Sequence, residues 1–80
     1  MEDRSVTDRI NELANEEHEL WSRESRGEGQ PGDPERLREL EVLLDQCWDL
    51  LHQRRARRDA GLDPDDARVR DAGTVEGYVD

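Results

Sequence analysis

Residues 27–34 read Gly-Glu-Gly-Gln-Pro-Gly-Asp-Pro, a run that holds three of the six glycines and two of the three prolines in the chain. Glycine loses the most backbone entropy on ordering and proline lacks the N–H a helix needs, so no regular element continues through this stretch. The chain is divided there into two segments that must fold separately and then meet.

In the first segment Val6, Ile10, Leu13, Leu20 and Trp21 recur with helical spacing and cover an arc of roughly 100°. Ser5 has the chemistry of an N-cap, with Asp8 three residues on as a weak capping-box partner. The pattern predicts a one-sided amphipathic helix over about residues 6–25. In the second segment Asp33 followed by Pro34 reads as an N-cap with proline at the first helical position. Nine of the fifteen residues from 37 to 51 are apolar: Leu37, Leu40, Val42, Leu43, Leu44, Cys47, Trp48, Leu50 and Leu51. Without Val42 they span roughly 160° of a helical wheel. The helix is expected over about residues 34–60, closed by Gly61 in a C-cap glycine motif with Leu62 as its apolar follower and Pro64 beyond.

Two amphipathic helices joined by about eight residues suggest an antiparallel hairpin over residues 1–62, with the loop at about 26–33. With the loop centred near residue 30, Leu20 lies near Leu40, Leu13 near Cys47, Ile10 near Leu50 and Val6 near Arg54. The last eighteen residues, 63–80, are acidic, hold Pro64, Gly73 and Gly77, and carry only Val69, Val75, Tyr78 and Val79 as sizeable apolar groups. They are expected as a largely extended tail, with at most a short helical turn near residues 65–68. The fold class is all-α.

The first helix has too few apolar side chains to cover the broad face of the second. A second copy supplies the simplest cover, giving a homodimeric four-helix bundle. Leu13, Leu20 and Trp21 from the first helix, with Leu40, Leu44, Trp48 and Leu51 from the second, are the expected interface residues. A lone hairpin covered by the tail is the competing arrangement.

The overall composition is unusual for a folded domain. Only fifteen of the eighty residues are Leu, Ile or Val, Phe is absent, 42% are charged and the net charge is -10, which falls in the range of disordered chains. The loop and tail supply that character, however, while residues 37–51 are mostly apolar and helically phased. The acidity has functional consequences: it repels nucleic acid and anionic membrane at long range, so either partner would need a strong local basic patch.

The lone cysteine, Cys47, rules out an intramolecular disulfide framework and an all-thiolate metal site and fits a reducing compartment. The start Met1-Glu2-Asp3-Arg4-Ser5 is polar and acidic where a secretory leader needs a basic start and an apolar run, and nowhere do eighteen apolar residues follow one another. A cytoplasmic protein without membrane contact is the expectation.

Few residues suggest chemistry. Glu17 interrupts the apolar stripe of the first helix, where a carboxylate could serve as an acid, a base or a metal ligand; a place at the stripe's margin, or a pairing with an arginine or the Trp48 indole, is the plainer account. Asp49 and His52 make an Asp-x-x-His pair that forms half of a carboxylate-bridged metal site, but no Glu-x-x-His accompanies it. A solvated pair explains them better, and neither a cofactor nor a catalytic residue is expected. Cys47 lies on the apolar face, far from a histidine or a helix N-terminus that would activate it. Gly27 and Gly29 precede no strand-to-helix turn that would cradle a phosphate. Arg54, Arg55, Arg57 and Arg58 form the one basic cluster, a candidate contact for phosphate or nucleic acid. Its structural alternative is charge at the negative end of the helix dipole, ion pairs with Glu2, Asp3 and Asp8 across the hairpin, and aliphatic stems over the end of the core. The net charge and the lack of a nearby stacking aromatic weigh against nucleic acid.

Glu16-Glu17-His18-Glu19-Leu20, the run Leu40-Glu41-Val42-Leu43-Leu44-Asp45-Gln46-Cys47-Trp48-Asp49-Leu50-Leu51, the basic Arg54-Arg55-Ala56 and the late Val75-Glu76-Gly77-Tyr78 together resemble a short actinobacterial family, domain of unknown function 2630. The resemblance covers nearly the whole chain, and the Asp-Gln-Cys-Trp-Asp-Leu-Leu stretch is its most specific part. It implies a small intracellular bacterial protein and carries no catalytic residues over. From the residues, the expected role is a non-enzymatic, self-associating protein–protein interaction module that offers its acidic surface, or its tail, to a further, unidentified protein partner.

Overall fold

A computed structural model describes residues 3–77. Its two long helices, α1 (Asp3–Ser25) and α2 (Asp33–Asp59), pack against each other as an antiparallel hairpin. A 3-10 turn (Pro64–Asp66) and a short helix, α3 (Ala72–Glu76), follow, and both contact α2. The described residues contain helices and turns and no strand.

Both long helices end in the same way. Gly27 and Gly61 each adopt φ of 74°, a left-handed conformation that costs glycine nothing and a Cβ-bearing residue about 1 kcal/mol. At the end of α1, Gly27 N–H donates to the Glu24 carbonyl and Glu28 N–H to that of Arg23; at the end of α2, Gly61 N–H donates to Arg58 and Leu62 N–H to Arg57. Each pair of bonds closes a Schellman motif and satisfies carbonyls the helix leaves open. The apolar follower of the second motif stays in water, with Leu62 53% exposed.

The helix starts differ from the sequence expectation. Ser5 is not the cap of α1, which already includes Asp3; ion pairs from Asp3 to Arg54 and Arg58 on α2 hold that first turn in place. Nor is Asp33 the cap of α2. Gly32 occupies the cap position with no side-chain bond to the helix, while the Asp33 carboxylate turns back to accept from Gln30 N–H and the Arg23 guanidinium. Asp33 thereby ties the loop to the end of α1.

The core is a single seam in two parts. Val6 and Ile10 meet Leu50 and Leu51 at the open end, and Leu13 and Leu20 meet Leu37 and Leu40 toward the loop. Leu44 and Cys47 pack against both parts and join them. Glu16 and Arg36 close the edge of the seam with two bonds of 2.5 and 2.8 Å.

The tail has a short turn at Pro64–Asp66, close to the expected 65–68, and adds a second helical segment, α3, where an extended chain was expected. Residues 63–77 run back along α2 as a strap: Asp65 lies at Arg54, Arg68 at Gln53, and Arg70 at Gln46 and Asp49. Asp63 and Asp71 cap its two short helical segments, accepting from Asp65 N–H and Thr74 N–H. Val75 is buried, and Ala67 packs on the open end of the core. Tyr78 and Val79 lie outside the described residues.

Candidate functional site: the uncovered flank and the arginine latch

The expected interface residues separate into two groups. Leu13, Leu20, Leu40 and Leu51 are spent inside the single chain, each buried in the seam between α1 and α2. Trp21 and Trp48 remain 49% and 45% exposed, and Leu44 is half-buried. On a wheel of 100° per residue Trp21 is offset about 60° from Val6, and Trp48 about 80° in the same sense from Leu40. Because the helices are antiparallel, offsets of one sense fall on one side of the pair. The two indoles therefore share a flank, displaced along the axis by about 15 Å. Beside them the His52 ring lies 6.4 Å from that of Trp48, tilted by 37°.

The strap takes the opposite flank. Leu43, Gln46 and Gln53 are offset from Leu40 by about 60°, 120° and 140° in the other sense. Gln46 and Gln53 donate their side-chain amides to the carbonyls of Arg70 and Arg68. Arg70 grips Asp49 with Nε at 2.8 Å and a second, shorter contact from its terminal nitrogen. This grip holds the Asp49 carboxyl below the usual aspartate range, chiefly through the Arg70 bonds.

The arginine cluster is largely consumed internally. Arg54 is buried, donating to Asp3 at 2.7 Å, to Asp65 at 3.0 Å and to the Pro64 carbonyl at 3.2 Å. Arg58 pairs with the same Asp3 carboxylate, and Arg57 bonds the Asp63 carbonyl and Asp66. Asp3 accordingly titrates below the ordinary aspartate range, through Arg58 first and Arg54 second. Of the four arginines of the candidate anion contact, Arg54 is sealed in, Arg57 and Arg58 are part-exposed and paired with Asp66 and Asp3, and Arg55 is exposed. Of the expected acidic partners Asp3 serves, Asp8 is exposed and forms no ion pair among the described residues, and Glu2 lies outside them.

The remaining candidates are also placed. Asp49, half of the Asp-x-x-His pair, is committed to Arg70 and Gln53, whereas His52 turns to Trp48. Glu17 is half-exposed, bonded neither to an arginine nor to the Trp48 indole among the described residues. No group of three or more His, Cys, Asp or Glu gathers there in a metal-binding arrangement. Burial pushes the Cys47 thiol up, away from the reactive thiolate. No described helix is long and apolar enough to cross a membrane.

Sequence reasoning missed Arg70, Gln46 and Gln53, which carry the strap. One signal was available: Asp63-Pro64 repeats the Asp-Pro start of α2 and marks a further helical turn.

The sequence profile of the family described as "Protein of unknown function (DUF2630)" matches residues 2–80. The chain belongs to this family. DUF2630 relatives among curated proteins include Uncharacterized protein Rv0898c of Mycobacterium tuberculosis and Uncharacterized protein Mb0922c of Mycobacterium bovis, each 57% identical over 47 residues. The match takes in 59% of this chain and 54% of each relative, so the chain spans about half the length of the curated relatives it matches. No solved structure matches. Membership in DUF2630 supplies no reaction.

Proposed function

We propose that this DUF2630 protein is a small, non-enzymatic, cytoplasmic interaction module that self-associates through the Trp21/Trp48 flank into a dimeric four-helix bundle. The observation that carries the reading is the pair of half-exposed tryptophans on the flank the strap leaves open. Tryptophan is the residue most enriched among interface anchors, because one rigid side chain brings a large apolar area. A chain of this size also gains from burying such area against a partner. The flank recurs identically in a second copy, so a two-fold pairing sets indoles from both chains into one interface. Asp49 and Cys47, the groups closest to chemistry, serve packing and strap attachment in this account.

Sedimentation equilibrium across the micromolar range, read with tryptophan emission, tests it. A two-copy species should form with rising concentration while the emission shifts to the blue, and Trp48→Glu should abolish both changes with helicity kept. A wild-type chain that stays monomeric throughout that range would end the proposal.

A further inference from the structure

We infer that two copies pair with their α2 helices antiparallel and crossing at Trp48, so that Glu41 of each chain meets the partner's Arg55 and Asp45 meets the partner's His52. The inference rests on the self-association proposed above and names its register. Glu41, Asp45, Trp48, His52 and Arg55 follow one another at alternating intervals of four and three residues, the spacing of a helix–helix seam. They fall about 60° to 140° from Leu40 in the sense of the tryptophan flank, away from the strap. Glu41, Trp48, His52 and Arg55 are exposed and Asp45 is half-buried. The side chains of Glu41, Asp45 and Arg55 form no hydrogen bond or ion pair among the described residues, so each is available to a second chain.

Charge along this stripe is ordered by sign. Carboxylates precede Trp48, and an imidazole and a guanidinium follow it. Glu41 and Arg55 each stand seven residues from the indole, about 10.5 Å along the axis. Asp45 and His52 stand three and four residues from it, about 4.5 and 6 Å. Reversing the stripe about Trp48 therefore lays each carboxylate over a basic side chain. In a two-fold pairing every contact from one residue to another is made twice, so one crossing gives two Glu41–Arg55 pairs, two Asp45–His52 pairs and a central pair of indoles. Trp21, on the same flank about 15 Å toward the loop, then lies to either side of that centre. A parallel crossing would instead set Glu41 against the partner's Glu41 and Arg55 against the partner's Arg55, which like charges disfavour. The net charge of -10 repels one copy from another, and local matching of opposite charges selects the faces that meet.

Sedimentation equilibrium of full-length chains tests the register, with circular dichroism to follow helicity. Glu41→Arg puts two like-charge pairs into the homodimer, and so does Arg55→Glu. Each should weaken pairing about tenfold or more with helicity kept, since neither side chain has a partner within its own chain. An equimolar mixture of the two variants restores both opposite-charge pairs and should dimerise about as tightly as wild type. The double variant Glu41→Arg with Arg55→Glu should do so alone. A wild-type dimer that both substitutions leave unchanged, or weakened variants whose mixture pairs no better than either alone, would overturn the register and leave the self-association standing. A wild type that stays monomeric across the micromolar range ends both.

Discussion

Arg54 Nε donates to Asp3 Oδ1 at 2.7 Å across 51 positions of sequence, tying the first turn of α1 to the last third of α2. The same guanidinium reaches Asp65 on the strap, so one buried cation fastens the described N-terminal end, the hairpin's open end and the strap together. Its two partners differ in exposure: the Asp3 side chain is 34% exposed and that of Asp65 is 60%.

The contrast between the buried cation, 5% exposed, and its part-exposed carboxylates orders two substitutions. Asp3→Asn takes a charged partner from a cation that cannot reach water, while Arg54→Met removes the charge, keeps an apolar stem and leaves carboxylates free to hydrate. Asp3→Asn should therefore lower Tm more than Arg54→Met, by about 5 °C or more for a domain of this size. Thermal melts of both variants and of the double variant, which should be less than additive, check it.

Stability should fall in acid with a defined sign. Asp3, Asp33, Asp49 and Asp65 all titrate below the usual range in the folded chain, held by Arg58, by Gln30 N–H, by Arg70 and by Arg54 as their respective main causes. Groups of lowered folded pKa contribute full stability above their unfolded value, near 4, and lose that contribution as pH falls toward the folded value. Tm should hold level from neutral pH to about 5 and then decline. Asp49→Asn should flatten part of the decline; an unchanged slope would show that the Arg70 grip contributes nothing.

Leu40 is 0% exposed at the middle of the seam, whereas Leu62 is 53% exposed. Leu40→Ala should cost about 2–5 kcal/mol through lost transfer energy and the cavity left behind. Leu62→Ala should stay within about 0.5 kcal/mol of wild type. Urea titrations monitored by helicity separate the two.

The glycines divide by backbone conformation. Gly61 sits at φ of 74° in its Schellman motif, and Gly32 at -85° with nothing within 4 Å of the Cβ position. Gly61→Ala should destabilise by about 1 kcal/mol, and Gly32→Ala should change stability by less than about 0.5 kcal/mol. Urea midpoints again decide.

Much of the candidate site was legible before the fold. Trp21 and Trp48 stand on helical stripes that any wheel displays, and the excess apolar arc of α2 already required more cover than α1 offers. What the wheel could not say is which edge of that arc stays open, because that depends on where a tail of weak helical character comes to rest. The fate of the arginines was equally hidden: a cluster at a helix end has the same pattern whether it faces water or is sealed by Asp3 and Asp65.

Two helices, their antiparallel return and the Gly61 ending of the second were legible in the sequence. These follow from local physics: periodic apolar spacing, the Gly/Pro interruption and the low cost of a left-handed glycine at Gly61. Tertiary structure alone decided the start of α1 at Asp3, the backward turn of Asp33 and the course of the strap. Each depends on charges or amides distant in sequence finding partners only after the hairpin forms. No local pattern specifies such a pairing, because ordering its side chains is offset only by contacts that the assembled fold provides.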